Sequence, residues 1–496
     1  GIQIRSGYAW LFLFIEIQLI IFYAIFVEWG PNSDYANSST NNASTNENLQ
    51  TYYPIFQDVH VMMFIGFGFL MTYLRHHSWT SVGVNFLVTV LAIQLYFLFA
   101  GFWKRIFGSE SWEERIHINT TMMIQADFAA ASVLITFGGV LGKLSAYQMT
   151  LLTIIEVFFY AFNEELNFYS VQVFDVGGSM TIHAFGAYFG LACTWFISKK
   201  LAKDHPKNAS NYNSNLFGMI GTLFLWMYWP SFNSALETGN GMLRTQICTL
   251  FSLIGSTLTT FMLSALYKGG KFHMEDILNA TLAGGVMMGS SANVVQYPFA
   301  AFIVGCVAGL VSTFGFETLS GVLQRKIGLY DTAGIHNLHG MPGLLGGIVS
   351  AIFVAATTEK QLGMPVEQYF FGRSAYKQGG IQIACTFISI GIGLFGGIIT
   401  GLLLKIDFLN PPKEYYDDHE FWEIDGEAPK DDSVIKIPNT HVQPDNVHVS
   451  ERVNTDRIFM QTEENLIQIK DNKEKEKQIN TEKFAKYEQI LSERSK

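Results

Sequence analysis

Two histidines occupy matching places in a motif that occurs twice in the sequence. Residues 175–190 read DVGGSMTIHAFGAYFG and residues 331–346 read DTAGIHNLHGMPGLLG, and both fit D-x-x-G-x-x-x-x-H-x-x-x-x-x-x-G. The histidines are His183 and His339. A neutral imidazole both donates and accepts hydrogen bonds, so two imidazoles that lie together can bond to each other and still offer sites to a small polar molecule. One histidine in an apolar helix is often only an interhelical contact, whereas two at equivalent repeat positions predict a functional pair.

Each copy of the motif begins with an aspartate, Asp175 in the first and Asp331 in the second. Both precede helical runs, where an aspartate commonly accepts hydrogen bonds from free backbone N–H groups at the start of the helix. We therefore interpret capping as the main role of both, with a direct part in the chemistry of the site as the alternative. The motif glycines leave room for another backbone or a passage beside each helix.

The elements that carry the motif must lie in lipid. Of the 496 residues, 49% are hydrophobic and only 15% are charged, whereas soluble proteins carry about 25% charged residues. A spanning helix needs roughly 20 mainly apolar residues, because lipid offers the backbone no hydrogen-bond partners. Suitable stretches begin near residues 8, 58, 82, 119, 146, 179, 214, 246, 276, 297, 338 and 379. The sequence thus predicts an all-α polytopic membrane protein of about twelve transmembrane helices.

The two motif copies open the sixth and the eleventh predicted helices, which enter the membrane from opposite sides. The fold is therefore predicted to contain an inverted internal repeat, and such repeats place their functional site near the middle of the membrane. We expect His183 and His339 to line a pore there side by side. A bare cation in a dry pore faces an idealised penalty on the order of tens of kcal/mol. A neutral polar molecule loses only some hydrogen bonds, at roughly a few kcal/mol, so such a pore favours uncharged substrates.

The N-terminal region gives the expected orientation. The first apolar stretch, 8–27, could be a signal peptide, but no small-x-small cleavage site follows it, so we interpret it as a retained helix. Residues 31–51 form an Asn-rich loop with glycosylation sequons at Asn37 and Asn42, which predicts an exoplasmic loop and a cytosolic N-terminus. Twelve helices then return the C-terminus to the cytosol, and the distribution of basic residues agrees with this arrangement.

The composition changes after residue 404. Residues 405–496 are polar and charged, with runs such as KDNKEKEKQ that cannot build a core. The sequence therefore predicts a transmembrane channel domain over residues 1–404 and a largely disordered cytosolic tail over the rest.

Other function classes find little support. The net charge is −10 and no stripe of Lys and Arg is present to hold phosphates, so we expect no nucleic-acid partner. The four cysteines lack paired spacing, which predicts neither a disulfide framework nor a zinc site. We find no phosphate-binding loop, metal-ligand cluster or nucleophile–base pair outside the predicted pore, so we expect no cofactor, no metal and no enzyme activity.

Six stretches between Tyr52 and Glu423 carry further motifs. They are YYPIFQDVHVMMFIGFGFLMTYL, QADFAAASVLITFGGVLGK, GGSMTIHAFGAYFGL, GTLFLWMYWPSFNSA, NATLAGGV and GIHNLHGMPGLLGGIV. In this order they resemble the Amt/Rh superfamily of ammonium transporters, and specifically its Rh (Rhesus) glycoprotein branch. HEFWEID, which begins at His419, is similar to the short acidic and aromatic motif that follows the last helix in that branch.

The resemblance implies an Amt/Rh-like channel fold, a homotrimer with one pore in each subunit, and roles for particular residues. These are His183 and His339 as the pore histidines, Phe128 and Phe232 as a stacked phenylalanine gate, Asn233 as a polar residue near the gate, Asp175 as a buried acid needed for structure and conduction, and Glu164 as an outer-vestibule acid that attracts ammonium. A solvated loop charge is the alternative for Glu164. Neither the residues nor the resemblance assigns a role to Glu16 or Glu156.

We therefore expect a channel in which ammonium loses its proton and neutral ammonia passes down its gradient in either direction. One alternative is an electrogenic transporter that moves net ammonium and relays the proton through the histidines. Another is an ammonium sensor or membrane scaffold that acts through the tail, whose partner the sequence does not indicate. The resemblance alone suggests carbon dioxide as a further substrate. The expected location is the plasma membrane, with an intracellular vesicle or vacuole membrane as the alternative.

Overall fold

The computed structural model describes residues 2–30, 33, 48–198, 202, 205–406, 409 and 411–424, which contain twelve long helices. They are α1 (Ile2–Phe26), α2 (Leu49–Tyr73), α3 (Ser78–Phe107), α4 (Thr120–Val140), α5 (Ala146–Glu165), α6 (Ser179–Ile197), α7 (Tyr212–Ser234), α8 (Gly239–Tyr267), α9 (274–288), α10 (Pro298–Ile327), α11 (His336–Ala355) and α12 (Ala375–Leu403). They belong to one compact unit, Gly1–Asp425, which extends past the predicted domain boundary at residue 404. The predicted glycosylation sites, Asn37 and Asn42, and residues 425–496 of the predicted tail lie outside the described residues.

Most of these helices are suited to a membrane. Within the described residues, nine are long and apolar enough to span one by length and composition. The other three pack against those nine: α5 against α3 and α12, α7 against α2 and α8, and α9 against α8 and α10. The prediction of an all-α membrane protein with about twelve helices is confirmed. Nine of the helices begin within about four residues of their predicted positions, whereas α1, α2 and α8 begin six to nine residues earlier.

The two motif copies adopt the same local structure. In each, a glycine in the left-handed region lies just before the helix, Gly178 with φ +69° and Gly334 with φ +70°. A wide helical turn of the π type follows, Ser179–Ala184 in α6 and His336–Gly340 in α11. Such turns are rare and often lie at functional sites, and each of these two contains one of the predicted pore histidines. The shared structure supports the predicted repeat.

Helices α6 and α11 approach closely because glycine lies at the contact. A Cβ atom on Gly343 of α11 would come within 2.7 Å of the Ser179 carbonyl oxygen in α6. A Cβ atom on Gly186 of α6 would come within 2.8 Å of the Ser132 carbonyl oxygen in α4. Real Cβ atoms do not approach an oxygen this closely, so small residues allow the helix backbones to meet. The close approach brings the two histidine-bearing turns together.

A buried lysine fastens the loop that leads into α11. Lys143, in the α4–α5 connection, donates to the carbonyl oxygens of Gly139 and Tyr330 at 2.8 and 2.5 Å and to the Thr194 hydroxyl at 2.6 Å. Burial lowers the pKa of Lys143 to about 7, an effect that the nearby Asp331 carboxylate opposes. These contacts join the end of α4, the end of α6 and the start of α11 on one side of the membrane domain.

Helix α1 lies at the edge of the bundle. The Tyr23 hydroxyl donates to the Gln94 carbonyl oxygen of α3 at 2.7 Å, and Gln94 Nε2 donates to Glu16 Oε1 at 3.3 Å. Glu16 therefore contributes to the contact between α1 and α3. A short parallel pair of strands, β1 (Val27–Trp29) and β2 (Ile116–Ile118), joins the end of α1 to the segment before α4.

The segment 411–424 packs on the helices despite its position in the predicted tail. The Asp418 carboxylate accepts hydrogen bonds from the backbone N–H groups of Trp79 and Thr80, at 2.9 and 2.8 Å, and thereby caps the start of α3. Trp422 Nε1 donates to the Thr80 hydroxyl at 2.9 Å. The Tyr416 backbone N–H donates to a carbonyl oxygen of the α4–α5 connection at 2.8 Å.

Candidate functional site

The structure brings the two motif histidines into direct contact. His183 Nδ1 and His339 Nδ1 are 3.1 Å apart, and the ring planes are nearly parallel at 11°. Both side chains are buried, at 1% and 4% exposure. Because one Nδ1 must donate and the other accept, the neutral rings are different tautomers. One Nε2 is then an acceptor and the other a donor.

One face of the histidine pair is available to a guest molecule. His183 Nε2 is buried and has no hydrogen-bond partner among the described residues. A buried polar atom of this kind is normally paired with protein or water. The pair can therefore hold a small molecule that both donates and accepts hydrogen bonds.

Aromatic rings cover this pair on one side. Phe128 of α4 and Phe232 of α7 have ring centroids 4.7 Å apart, and the Phe232 ring lies 5.8 Å from His183. Trp229, three residues before Phe232 and thus on the same face of α7, stacks on His183 at 5.7 Å with an interplanar angle of 24°. All three side chains are buried. Trp229 was not predicted from the sequence.

Two cavities lie near the histidine pair and the aromatic rings that cover it, one on the side of Phe128 and the other on the side of His339. The first, here called the Asp175 cavity, has a volume of about 480 Å³ and includes Phe128, Glu164 and Asp175 in its lining. The second, the Asp331 cavity, has a volume of about 380 Å³ and includes Asp331 and Asn279. A narrow space of about 20 Å³ is lined by His339 and shares three lining residues with the Asp331 cavity, namely Tyr73, Asn279 and Ala333. None of the residues that line this narrow space carries a full charge.

Asp175 is almost fully engaged by hydrogen bonds. Its Oδ2 accepts from the Thr181 backbone N–H and hydroxyl, both at 2.8 Å, and from the Met180 backbone N–H at 3.2 Å. Its Oδ1 accepts a short hydrogen bond from the Ser290 hydroxyl. Asp175 thus caps α6 and also ties that helix to the end of α9. The side chain lies at the wall of the Asp175 cavity.

Asp331 makes the equivalent cap at the other end. Its carboxylate accepts from the backbone N–H groups of Ile335 and His336 at 3.0 and 2.9 Å. The two aspartates of the repeat therefore start the two histidine-bearing helices in the same way, one at each cavity. These contacts agree with the interpretation of both residues as helix caps.

Glu164 is not a solvated loop charge. It lies in the last turn of α5, is 7% exposed, and accepts a hydrogen bond from the Tyr96 hydroxyl at 2.5 Å. It also lines the Asp175 cavity, together with two acids that were not predicted, Glu165 and Glu237. Asn293 Nδ2 donates to Glu237 Oε2 at 2.6 Å. The Asp175 cavity is thus lined by more carboxylates than cations, with Lys104 among its lining residues.

The structure places Asn233 between helices. Its Nδ2 donates to the Thr249 hydroxyl of α8 at 2.9 Å and to the Gly285 carbonyl oxygen of α9 at 3.1 Å. It follows Phe232 directly, but it is not among the residues that line the Asp175 cavity. Its contacts join α7, α8 and α9 behind the phenylalanine pair.

Two buried acids within the helices were not assigned from the sequence. Asp127 accepts from His60 Nδ1 at 2.9 Å. Glu156 Oε1 is 2.8 Å from the Thr136 hydroxyl, which is also 2.9 Å from the Gly186 carbonyl oxygen of α6. A hydroxyl has one proton and cannot donate to both oxygens. The contacts are satisfied if Glu156 is protonated and donates to Thr136, which in turn donates to Gly186.

The sequence of this chain matches a known protein family and several of its members. Residues 17–420 match the model of the Ammonium Transporter Family. The chain is 42% identical over 428 residues to Ammonium transporter Rh type B of Oryzias latipes, with 83% of this chain and 92% of that protein covered. It is 41% identical over 458 residues to Ammonium transporter Rh type C of Xenopus laevis, with 88% and 96% covered.

Solved structures are similar over the same region. The structure of Nitrosomonas europaea Rh50, described in terms of conduction by the Rhesus family of channels, superposes with a TM-score of 0.67 at 35% identity and covers 78% of this chain and 95% of that one. The Mep2 structure from Saccharomyces cerevisiae superposes with a TM-score of 0.61 at 16% identity and covers 79% and 96%. The second likeness concerns the fold alone.

Proposed function

From the premise that this chain belongs to the Ammonium Transporter Family and transports ammonium, we propose that the transported species is neutral ammonia. The observation that carries the proposal is the pair of buried imidazoles, His183 and His339, held 3.1 Å apart at a narrow passage without full charges. Burial and mutual hydrogen bonding suit neutral rings, since a charged imidazolium there would have no counterion among the residues that line the passage.

The energetics favour a neutral guest. An ammonium ion that loses its water in an apolar passage faces an idealised cost on the order of tens of kcal/mol. Ammonia loses only hydrogen bonds, at roughly 1–3 kcal/mol for each one that is not replaced. The Nε2 atoms of the histidine pair, one acceptor and one donor, replace two of them. Sodium and potassium cannot shed their charge, so the same passage excludes them.

The Asp175 cavity supplies the entrance. Carboxylates such as Glu164 and Glu237 raise the local concentration of cations, as a cleft lined by one sign of charge does. Ammonium releases its proton to solvent water in the Asp175 cavity, before the rings of Phe128 and Phe232, which close the passage above the histidines, so the proton stays on the entry side. Ammonia then passes the histidine pair and reaches the Asp331 cavity. We assign Asp175 a positioning role, because its oxygens are already engaged by α6 and Ser290.

One observation favours a second candidate, net transport of ammonium with the proton relayed between the histidines. The hydrogen bond from Nδ1 to Nδ1 is a contact along which a proton could be handed from one ring to the other. A single experiment on proteoliposomes separates the two candidates, because it records lumenal pH and membrane current together. Neutral ammonia changes lumenal pH without current, whereas net ammonium transport gives a current. A current that scales with the ammonium gradient would refute the neutral mechanism.

The tail allows a sensor or scaffold role to be tested separately. Because residues 411–424 cap α3 and contact the loops of the membrane domain, truncation should follow Asp425. A chain that ends there should keep ammonia flux if the passage is the function. Loss of a cellular phenotype with flux intact would instead support a role for the tail.

The same family assignment supports a proposal about the assembly, the membrane and the orientation of the channel. We propose a homotrimer in the plasma membrane with both termini in the cytosol, which places the Asp175 cavity outside and the Asp331 cavity inside. The sequons at Asn37 and Asn42 support this orientation. Cross-linking of the purified protein should give a trimer, and a monomer as the active species would contradict the assembly.

A further inference from the structure

A second cluster of ionisable side chains lies apart from the histidine pair, where α8, α9 and α10 meet. Its members are His273 from the α8–α9 connection, Asp276 from the first turn of α9 and Glu317 from α10. His273 Nδ1 is 3.1 Å from Glu317 Oε1 and 4.0 Å from Asp276 Oδ1. His273 also contributes to the wall of the Asp331 cavity.

The Asp276 carboxylate in this cluster lacks a hydrogen-bond partner. Its side chain is fully buried, and neither carboxylate oxygen has a hydrogen-bond partner among the described residues. Ser264 and Glu317 approach the carboxylate without reaching hydrogen-bonding geometry. An ionised carboxylate left in this state is strongly destabilised, so Asp276 needs either a positive charge beside it or a proton of its own.

The described side chains supply only part of that charge. Lys268 Nζ lies 2.7 Å from Glu317 Oε2, which leaves Glu317 Oε1 directed toward His273. With His273 neutral, two carboxylates therefore share one lysine, and Asp276 has no cation of its own. The loop conformation that presents His273 is fixed, because its backbone N–H donates to the Ser264 hydroxyl at 2.8 Å.

We propose that His273, Asp276 and Glu317 bind one divalent ion of the first transition row, of which Zn²⁺ is the probe. Ligand atoms around such an ion, each about 2.0–2.2 Å from it, lie roughly 3–4 Å from one another. The observed separations of 3.1 and 4.0 Å match that spacing, and all three ligand atoms lie within 4.8 Å of one another. One imidazole with two carboxylates suits Zn²⁺ and its neighbours, whereas Mg²⁺ and Ca²⁺ prefer oxygen ligands only.

The competing explanation is an ion network without metal. In it, a protonated His273 pairs with Glu317, and Asp276 carries a proton. The position that the proton takes between His273 and Glu317 is the one that a metal ion would take, so both explanations share the same geometry. They differ in whether the protein binds a metal ion with a defined stoichiometry.

Isothermal titration of the purified full-length protein with Zn²⁺ tests the site. We expect one ion per chain for the wild type, and binding at least tenfold weaker in His273→Ala and in Glu317→Gln, as loss of a ligand requires. Visible absorption of bound Co²⁺ should show the bands of a low-symmetry site in the wild type and lose them in His273→Ala.

A matched control exists on another part of the chain. His117 Nε2 pairs with Glu28 Oε1 at 2.7 Å, and its side chain is 42% exposed, close to the 43% of His273. Within the part of the chain that the structure describes, no third ligand is grouped with this pair. His117→Ala should bind Zn²⁺ like the wild type. Wild-type protein that binds no stoichiometric Zn²⁺, or His273→Ala that binds it with unchanged affinity, would overturn the proposal. If Glu317→Gln does not fold, His273→Ala decides, since its exposed side chain can be removed without opening the core.

Discussion

Replacement of His183 by alanine tests the proposed mechanism at its centre. The change removes the ring whose Nδ1 lies 3.1 Å from His339 Nδ1 and whose Nε2 is free. His339 then keeps its place in α11 without its partner. Ammonia at this point loses one hydrogen-bonding group and meets a buried imidazole that is no longer held in one tautomer.

The magnitude follows from the number of contacts that are lost. One missing hydrogen bond in a buried site costs about 1–3 kcal/mol, and 1.36 kcal/mol corresponds to a factor of ten in rate. We therefore expect His183→Ala to slow ammonia flux by roughly five- to 150-fold. His339→Ala should behave similarly. The double variant should fall short of the product of the two effects, because the rings act as one unit.

The assay is stopped-flow alkalinisation of proteoliposomes that carry a pH-sensitive dye and receive an ammonium gradient. Each variant is first shown to be folded by size-exclusion chromatography and thermal unfolding. This check is needed because removal of one histidine leaves the other histidine buried without its hydrogen-bond partner. His117→Ala, which removes an exposed histidine paired with Glu28, is the control and should conduct like the wild type. If both single variants of the pair are folded and conduct within about twofold of the wild type, the reasoning is refuted.

Three further predictions concern the rest of the molecule. Glu156→Gln should have a melting temperature close to that of the wild type, because an amide can donate to Thr136 as a protonated acid does. Glu156→Ala should lower the melting temperature. An equal decrease of the melting temperature in both variants would show that an ionised Glu156 is required. Asp418→Ala should destabilise the protein by about 1–2 kcal/mol through loss of the α3 cap, measured by thermal unfolding with exposed Glu423→Ala as control, and an unchanged midpoint would contradict the capping role. Endoglycosidase treatment of the protein from a eukaryotic host should increase its mobility, and Asn37→Gln with Asn42→Gln should abolish that shift, whereas a glycan on Asn208 would reverse the proposed orientation.

The helices and the histidine pair could be predicted from sequence because both depend on regular signals. Apolar stretches of sufficient length must be helical in lipid, so the twelve helices were predictable, although α1, α2 and α8 begin six to nine residues before the predicted positions. The repeated motif gave His183 and His339 equivalent depths, and the structure places their rings in contact. Trp229 could also have been found, since it lies one helical turn before Phe232 in the same WPSF motif.

Other contacts had no signal of this kind. Phe128 and Phe232 could be chosen among 42 phenylalanines only through the family resemblance. The partner of Glu156 in α4 and the cluster of His273 with Glu317 depend on helix packing across many residues, and the sequence has no periodicity that reports it. Asn233 shows the same limit, because its direction toward α8 and α9 is set by how α7 is rotated in the bundle.

The hydrogen bond between the two rings has a consequence for direction. The scaffold around His183 and His339 is built from two equivalent halves, but a single proton bridges them and cannot belong equally to both. At any instant a guest that arrives from one end meets a lone pair first, and a guest from the other end meets an N–H first. Reversal of this polarity needs only that the bridging proton moves to the other Nδ1 while one Nε2 loses its proton and the other Nε2 gains one, so the asymmetry is carried by hydrogen atoms and not by the fold.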